Sequence, residues 1–230
     1  MLHFAGGNCY SFQFLAPFLK DFDVIPLELP GRGRRIREDL LNNFAMAADD
    51  IFRQMCSKLD SRDFLIYGHS MGAYLALHVS QMLEKAGKTP VCLIVSGNAG
   101  PGIQGDKKRY LLDKQSFIDE LKHLGGISTE LLEYEEFFNV FEPVLRADFE
   151  IAERDELDDE VPVNAPLYAL MGSLEERKDK ISNWGKFTRS DFKYDILEGD
   201  HFFIHHHPRK IAQIIRGWYE KSIDTISARQ

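Results

Sequence analysis

Gly68-His69-Ser70-Met71-Gly72 sets a hydroxyl between two glycines, after the apolar run Phe64 to Tyr67 and before a helical pattern from Ala73 to Ala86. A serine on a strand-to-helix corner, with Cβ-free residues two positions to either side so that strand and helix can close on it, is the arrangement of a nucleophile elbow. A serine hydroxyl attacks only when a base takes its proton, so a histidine is expected further along the chain. His201 suits the role, because it follows the apolar run Phe192 to Leu197 after the turn Glu198-Gly199-Asp200. His205, His206 and His207 resemble a metal tract but read better as a loop entering a helix, and His69 and His78, flanking the elbow, read as packing residues.

The acid that orients the imidazole should lie between serine and histidine in the chain. The loop Gly172-Ser173-Leu174-Glu175-Glu176 offers no aspartate before Asp179, which makes Glu175 the candidate and Glu176 the alternative, against the plain reading of two solvated charges. Negative charge developing on a substrate oxygen needs two backbone N–H groups. Met71, the residue after the nucleophile, supplies one, and Ala5 in the glycine loop Ala5-Gly6-Gly7-Asn8 supplies the other. This chemistry requires no metal and no bound cofactor.

The elements that must hold these groups can be read in order. Met1 to Phe4 looks like the last part of a strand, so either that strand is short or the start is incomplete. Phe12, Leu15, Phe18 and Leu19 recur at helical spacing, with Asn8 or Ser11 as cap. Val24 to Leu29 reads as a strand that tolerates Pro26 near an edge. A helix with an apolar face from Phe44 to Leu59 follows, capped by Asn42 or Asn43. After the elbow come a strand at Val91 to Val95, strands at Leu167 to Met171 and Phe192 to Leu197, and a closing helix from Pro208. Strands alternating with helices define the α/β class with a mostly parallel, doubly wound sheet.

The alternation breaks between about residues 102 and 164. There the sequence is helical and rich in Phe and Leu, with segments at Gln115 to Leu124, Thr129 to Tyr134 and Phe137 to Glu156. An insertion between two strands of such a sheet is expected to sit over their carboxyl ends as a lid. At 230 residues and 44% hydrophobic content, one domain spanning residues 1–230 with this insertion is expected.

A net charge of −8 argues against nucleic acid as a partner, and no apolar run approaches the ~20 residues that cross a bilayer, so no membrane partner is expected. Three cysteines without metal-ligand spacing read as reduced thiols of a cytoplasmic protein. Against this acidic background the run Arg32, Arg34, Arg35, Arg37 stands out as either a solvated loop face or an anchor for a phosphate or an acidic partner.

Phe4-Ala5-Gly6-Gly7, Leu29-Pro30-Gly31-Arg32-Gly33, the elbow, Leu124-Gly125-Gly126, Leu145-Arg146-Ala147-Asp148-Phe149 and Gly199-Asp200-His201-Phe202-Phe203 occur in this order along nearly the whole chain. In them the sequence resembles the type II thioesterases of nonribosomal peptide and polyketide synthesis. The elbow is common to every α/β-hydrolase, whereas the Gly-Gly and Arg-Ala-Asp-Phe segments are specific. The resemblance implies an α/β-hydrolase with a helical lid that removes stalled or wrongly loaded acyl groups from the phosphopantetheine arm of acyl or peptidyl carrier proteins. It extends to the medium-chain thioesterases that serve fatty-acid synthases. Carrier proteins of this class are acidic, so Arg34 and Arg35 become candidates for docking them, with Lys107, Lys108 and Arg109 at the start of the lid.

Three positions depart from the family pattern: His3 in place of proline, Glu175 in place of aspartate and Asp200 in place of glycine. Two other readings accompany the thioesterase. One is a carboxylesterase or peptidase of the same fold, and the other a carrier-binding module without catalysis; turnover of thioester against oxoester, and labelling of Ser70 by a fluorophosphonate, separate them.

Overall fold

The computed structural model describes residues 1–59, 63–103, 108–153 and 160–228. Four parallel strands, β1 (Leu65–His69), β2 (Cys92–Ser96), β3 (Leu167–Gly172) and β4 (Phe192–Leu197), are hydrogen-bonded in that order. Parallel neighbours need crossovers, and the helices that make them cover both faces of the sheet, so β2 and β3 are buried along their whole length. On one face Ile66, Leu93, Val95 and Leu167 pack with helices α1 (Phe44–Lys58) and α2 (Met71–Lys85). On the other, Tyr67, Ile94, Tyr168 and Leu170 pack with the 3-10 helix Gln13–Phe18 and the C-terminal helix α6 (Pro208–Ser227). This is the doubly wound α/β sheet expected from the alternation.

The amino-terminal part departs from expectation. Leu2 makes single parallel bridges to Leu27 on one side and Gly68 on the other, and the stretch Val24 to Leu29 contributes that one bridge in place of a strand. Pro26 brings no N–H to a ladder, which keeps the stretch from extending. The segment Phe12 to Leu19 is a 3-10 helix, Gln13–Phe18, with Pro17 inside it. Neither Asn8 nor Ser11 caps it: Phe12 stands at the N-cap, and Ser11 Oγ accepts from the N–H of Asn8 at 2.8 Å. In α1 the cap falls to Asn43, whose side chain accepts from the N–H of Met46 at 3.0 Å.

Because Leu2 lies between Leu27 and β1, the chain moves one way across the sheet to Leu27 and the other way from β1 onward. Such a reversal leaves a crevice at the carboxyl ends of the two diverging segments, the usual ligand position in open α/β sheets. Helices α3 (Lys114–Leu124), α4 (Thr129–Glu133) and α5 (Glu135–Glu153) follow β2 and share an apolar cluster of their own around Phe117, Leu121, Phe138, Leu145 and Phe149. Ala5 packs against that cluster. Residues 154–156 of the longest expected helix, and Lys107, lie outside the described residues. Among the described residues, no helix is long and apolar enough to cross a membrane.

Candidate active site

Ser70 sits between β1 and α2 at φ 56°, ψ −118°, and among the described residues it alone of the non-glycine positions has positive φ. A side chain held in that region costs on the order of 1–3 kcal/mol, so its surroundings must impose it. The N–H of Ser70 donates to the carbonyl of Ser96 at 2.7 Å, and its own carbonyl accepts from Asn98 Nδ2 at 2.7 Å and from the N–H of Ala73 at 3.0 Å. The flanking glycines permit the turn. A Cβ on Gly68 would overlap the carbonyl of Gly72, and one on Gly72 would overlap the carbonyls of Leu2 and His3.

His201, on the loop after β4, places Nε2 at 2.9 Å from Ser70 Oγ and Nδ1 at 3.0 Å from Glu175 Oε2. A carboxylate can only accept, so the imidazole proton is on Nδ1 and Nε2 is free to accept from the serine hydroxyl. Glu175 Oε1 accepts in turn from the N–H of Gly172 at 2.9 Å, which anchors the acid to the end of β3. Its longer side chain is accommodated in a turn in which the N–H of Glu175 donates to the carbonyl of Gly172 at 3.2 Å. Glu176 instead points to solvent, 73% exposed and 3.9 Å from His123.

Met71 opens α2, where backbone N–H groups have no partner inside the helix. Ala5 lies across the crevice in a turn closed by the N–H of Gly7 donating to the carbonyl of Phe4 at 2.9 Å. That turn is held from outside the sheet. Asp148 of α5, fully buried, accepts from the N–H of Gly6 at 2.7 Å and from Arg32 through two bonds, one of them Nη2 to Oδ1 at 2.8 Å. Glu28, also buried, accepts from the N–H groups of Cys9 and Arg34, each at 2.9 Å. His3 completes the support, with Nδ1 donating to the carbonyl of Phe4 at 2.8 Å and Nε2 accepting from the N–H of Leu29 at 3.3 Å. Burial first, and the Arg32 charge second, lower its pKa to about 4, consistent with a neutral ring making both bonds.

His69 is a packing residue, as expected: it is fully buried, its ring lies 5.1 Å from that of His201, and its Nδ1 shares a hydrogen bond of 2.8 Å with Ser96 Oγ. Burial, then the neighbouring His201 and His205, hold its pKa well below the ordinary value. His78 meets Glu160 at 2.6 Å. Of the three consecutive histidines, His205 stacks on Phe202 and His207 bonds the carbonyl of Glu198 at 2.6 Å. Among the described residues, no cluster of three or more metal-binding side chains occurs.

The arginine run divides. Arg32 is 4% exposed and paired with Asp148, so it is neither a solvated charge nor an external anchor. Arg35 is taken up by Asp50, Glu38 and the carbonyl of Glu28. Arg109 is likewise paired inside the helical segment, with Glu120 and Glu153. Arg34 is exposed, beside Tyr10, and Arg37 and Lys108 are exposed. The parts assigned here to Asp148, Glu28, Ser96 and Asn98 were not anticipated. A signal existed for Asp148, an acid on the apolar stripe of Leu145, Phe149 and Ala152. The other three have none in the local sequence.

A strained serine between a parallel strand and a helix, with a histidine and a carboxylate on the loops after the last two strands, defines a serine hydrolase of the α/β-hydrolase fold. The family model described as "Thioesterase domain" matches residues 1–219. The chain belongs to the thioesterase family. It is 30% identical over 207 residues to the gramicidin S biosynthesis protein GrsT of Aneurinibacillus migulanus, covering 88% of this chain and 80% of that protein. To the medium-chain S-acyl fatty acid synthase thioesterase of Rattus norvegicus it is 27% identical over 209 residues, 87% of this chain and 78% of the relative. Among solved structures, the type II thioesterase BorB from the borrelidin biosynthetic cluster superposes with a TM-score of 0.86 at 26% identity, covering 95% of this chain and 90% of that one.

Proposed function

We propose that the chain hydrolyses acyl thioesters on the phosphopantetheine arm of carrier proteins, in editing or release during nonribosomal peptide, polyketide or fatty-acid synthesis. The observation that carries this reading is the unbroken chain of contacts from Ser70 Oγ through His201 to Glu175, at 2.9 and 3.0 Å, on a corner facing the Ala5 loop. His201 takes the Ser70 proton as Oγ attacks the thioester carbon. The N–H groups of Ala5 and Met71 receive the oxyanion, each such donor contributing about 3–4 kcal/mol. Collapse expels the pantetheine thiolate, which takes the proton from His201 Nε2 and leaves an acyl-serine. Water, deprotonated by the same nitrogen, then attacks the acyl carbon, and His201 returns the proton to Ser70 Oγ as the free acid leaves. Glu175 holds the imidazole in the required tautomer and offsets its positive charge.

Helices α3 to α5 act as the lid of this site, and the carrier docks beside it. Arg34 and Arg37 present the free charge on one side of the mouth and Lys108 at the base of the lid. Arg35 supports the turn from inside. An acidic carrier must overcome the net charge of −8, which makes a local basic patch a requirement of productive encounter. The test compares kcat/KM for an acyl carrier protein and the matching acyl-CoA at low and high salt. The carrier is expected to be the better substrate, and Arg34→Glu with Arg37→Glu is expected to erode the carrier reaction selectively. Equal losses on both substrates return these arginines to a solvated loop; turnover that survives Ser70→Ala removes the acyl-enzyme itself.

A further inference from the structure

Among the described residues no strand pairs with the outer edge of β4, and the sequence of that edge is complementary to itself. Tyr194 and Ile196 are 44% and 43% exposed, large for apolar side chains on a strand. The ladder to β3 fixes which backbone groups face outward. The N–H of Leu167 donates to the carbonyl of Asp191 at 2.9 Å and that of Ser173 to the carbonyl of Leu197 at 2.7 Å, so the odd-numbered residues turn both polar groups toward β3. Phe192, Tyr194 and Ile196 therefore direct N–H and C=O away from the sheet. Pleating also sorts the side chains. Lys193 and Asp195 share the face of Tyr168, Lys193 lying 5.7 Å from the centre of its ring and Asp195 accepting from its hydroxyl at 2.7 Å, while Phe192 leans on the opposite core.

We propose that β4 pairs antiparallel with β4 of a second copy of this chain, about a two-fold axis through Tyr194. Antiparallel pairing across an edge requires that outward-facing residues meet outward-facing residues. This excludes every register centred between two residues. Of the centred registers that pair the middle of the strand, Lys193 on the axis sets lysine against lysine, and Asp195 on the axis sets aspartate against aspartate. Tyr194 on the axis resolves both. Tyr194 exchanges two backbone hydrogen bonds with the partner's Tyr194, Phe192 meets the partner's Ile196, and Lys193 meets the partner's Asp195 twice over. The charged pairs then occupy the non-hydrogen-bonded sites, where opposite side chains approach most closely. Lysine on an exposed edge ordinarily guards against pairing. Here the same lysine selects one register and one partner, in an isologous contact.

The geometry keeps both active sites free. His201 follows the carboxyl end of β4, so antiparallel strands carry the two crevices to opposite ends of the joined sheet. A contact built on one six-residue strand from each copy is smaller than a standard stable interface. The dimer is accordingly concentration-dependent.

Sedimentation velocity on the full chain from about 1 to 500 µM tests this. Wild type is expected to shift from monomer to dimer across that range. Lys193→Glu and Asp195→Lys, each of which makes the contact repel itself, are expected to weaken association at least tenfold. An equimolar mixture of the two variants restores attraction at both pairs and is expected to dimerise as a heterodimer. Tyr194→Pro, which deletes an outward N–H and leaves the β3 ladder intact, abolishes it. Unchanged acyl-CoA hydrolysis by Lys193→Glu shows that the chain is folded. A wild type monomeric at all concentrations, a dimer indifferent to the single substitutions, or a mixture that stays monomeric overturns the proposal.

Discussion

The two sides of the crevice are held by different means. Ser70, Met71, Glu175 and His201 stand at or just beyond the ends of ladder strands, and their anchors are backbone groups of the sheet edge: the carbonyl of Ser96 for Ser70, the N–H of Gly172 for Glu175. Ala5 stands on a loop with one bridged residue beneath it, and its turn is fixed by Asp148, Arg32, Glu28 and His3. The proposed triad thus depends on the sheet, whereas half of the proposed oxyanion hole depends on Asp148 of α5. Helix α5, read above as part of a lid, would then also be a structural member of the proposed catalytic machinery.

The contrast predicts that activity and stability separate on one side and fall together on the other. The largest effect is expected for Ser70→Ala, which should lower thioester hydrolysis by more than about 10⁵-fold while leaving the melting temperature near that of wild type, since the hydroxyl supports no core packing. Glu175→Gln should follow with a loss of about 10³–10⁴ in kcat, while Glu176→Gln stays within about twofold of wild type; the reverse order would move the acid by one residue. Across the crevice, Asp148→Asn should lower kcat by about 10²-fold and also cost about 3–5 kcal/mol of stability in denaturant unfolding, because it leaves the Arg32 charge buried without its counter-charge. If Asp148→Asn loses activity at full stability, the Ala5 loop is not held by this pair.

The smallest effect concerns pH. His3 has its folded pKa lowered to about 4 from 6.5, so between those values the unfolded chain binds a proton that the folded chain excludes. Its contribution is complete above about pH 6.5 and is lost as pH falls through 4, by about 3 kcal/mol in all. His69, shifted in the same direction by its burial, adds to that slope. His3→Gln should flatten the acid limb of a stability–pH curve in proportion to its share, and an unaltered limb would assign the slope elsewhere.

The same contrast explains what could be read in the sequence. Ser70, His201 and Glu175 are local features, each a residue type in a turn after an apolar run, so the sequence pointed to them, with Glu176 left as the alternative acid. The strands β1 to β4 were legible for the same reason, as short apolar runs between turn residues. The amino-terminal elements were not. Val24 to Leu29 has the composition of a strand, but Pro26 and the single bridge to Leu2 leave it extended and largely unpaired. The arginine run misled because four like charges in a row give no sign that one of them turns inward. Only the partner, 116 positions away in Asp148, decides that Arg32 is buried.

That separation also bears on how the protein is made. Leu2 cannot gain both neighbours until Gly68 has been synthesised, and the Gly6 turn lacks its acceptor until Asp148 emerges. Contacts this distant in sequence require a long loop to close before they return anything, so they form late in folding. On the ribosome the serine corner can assemble while the oxyanion turn is still unanchored. The nascent chain therefore carries the proposed nucleophile well before it has the means to use it, because Asp148 and then Glu175 and His201 have still to emerge.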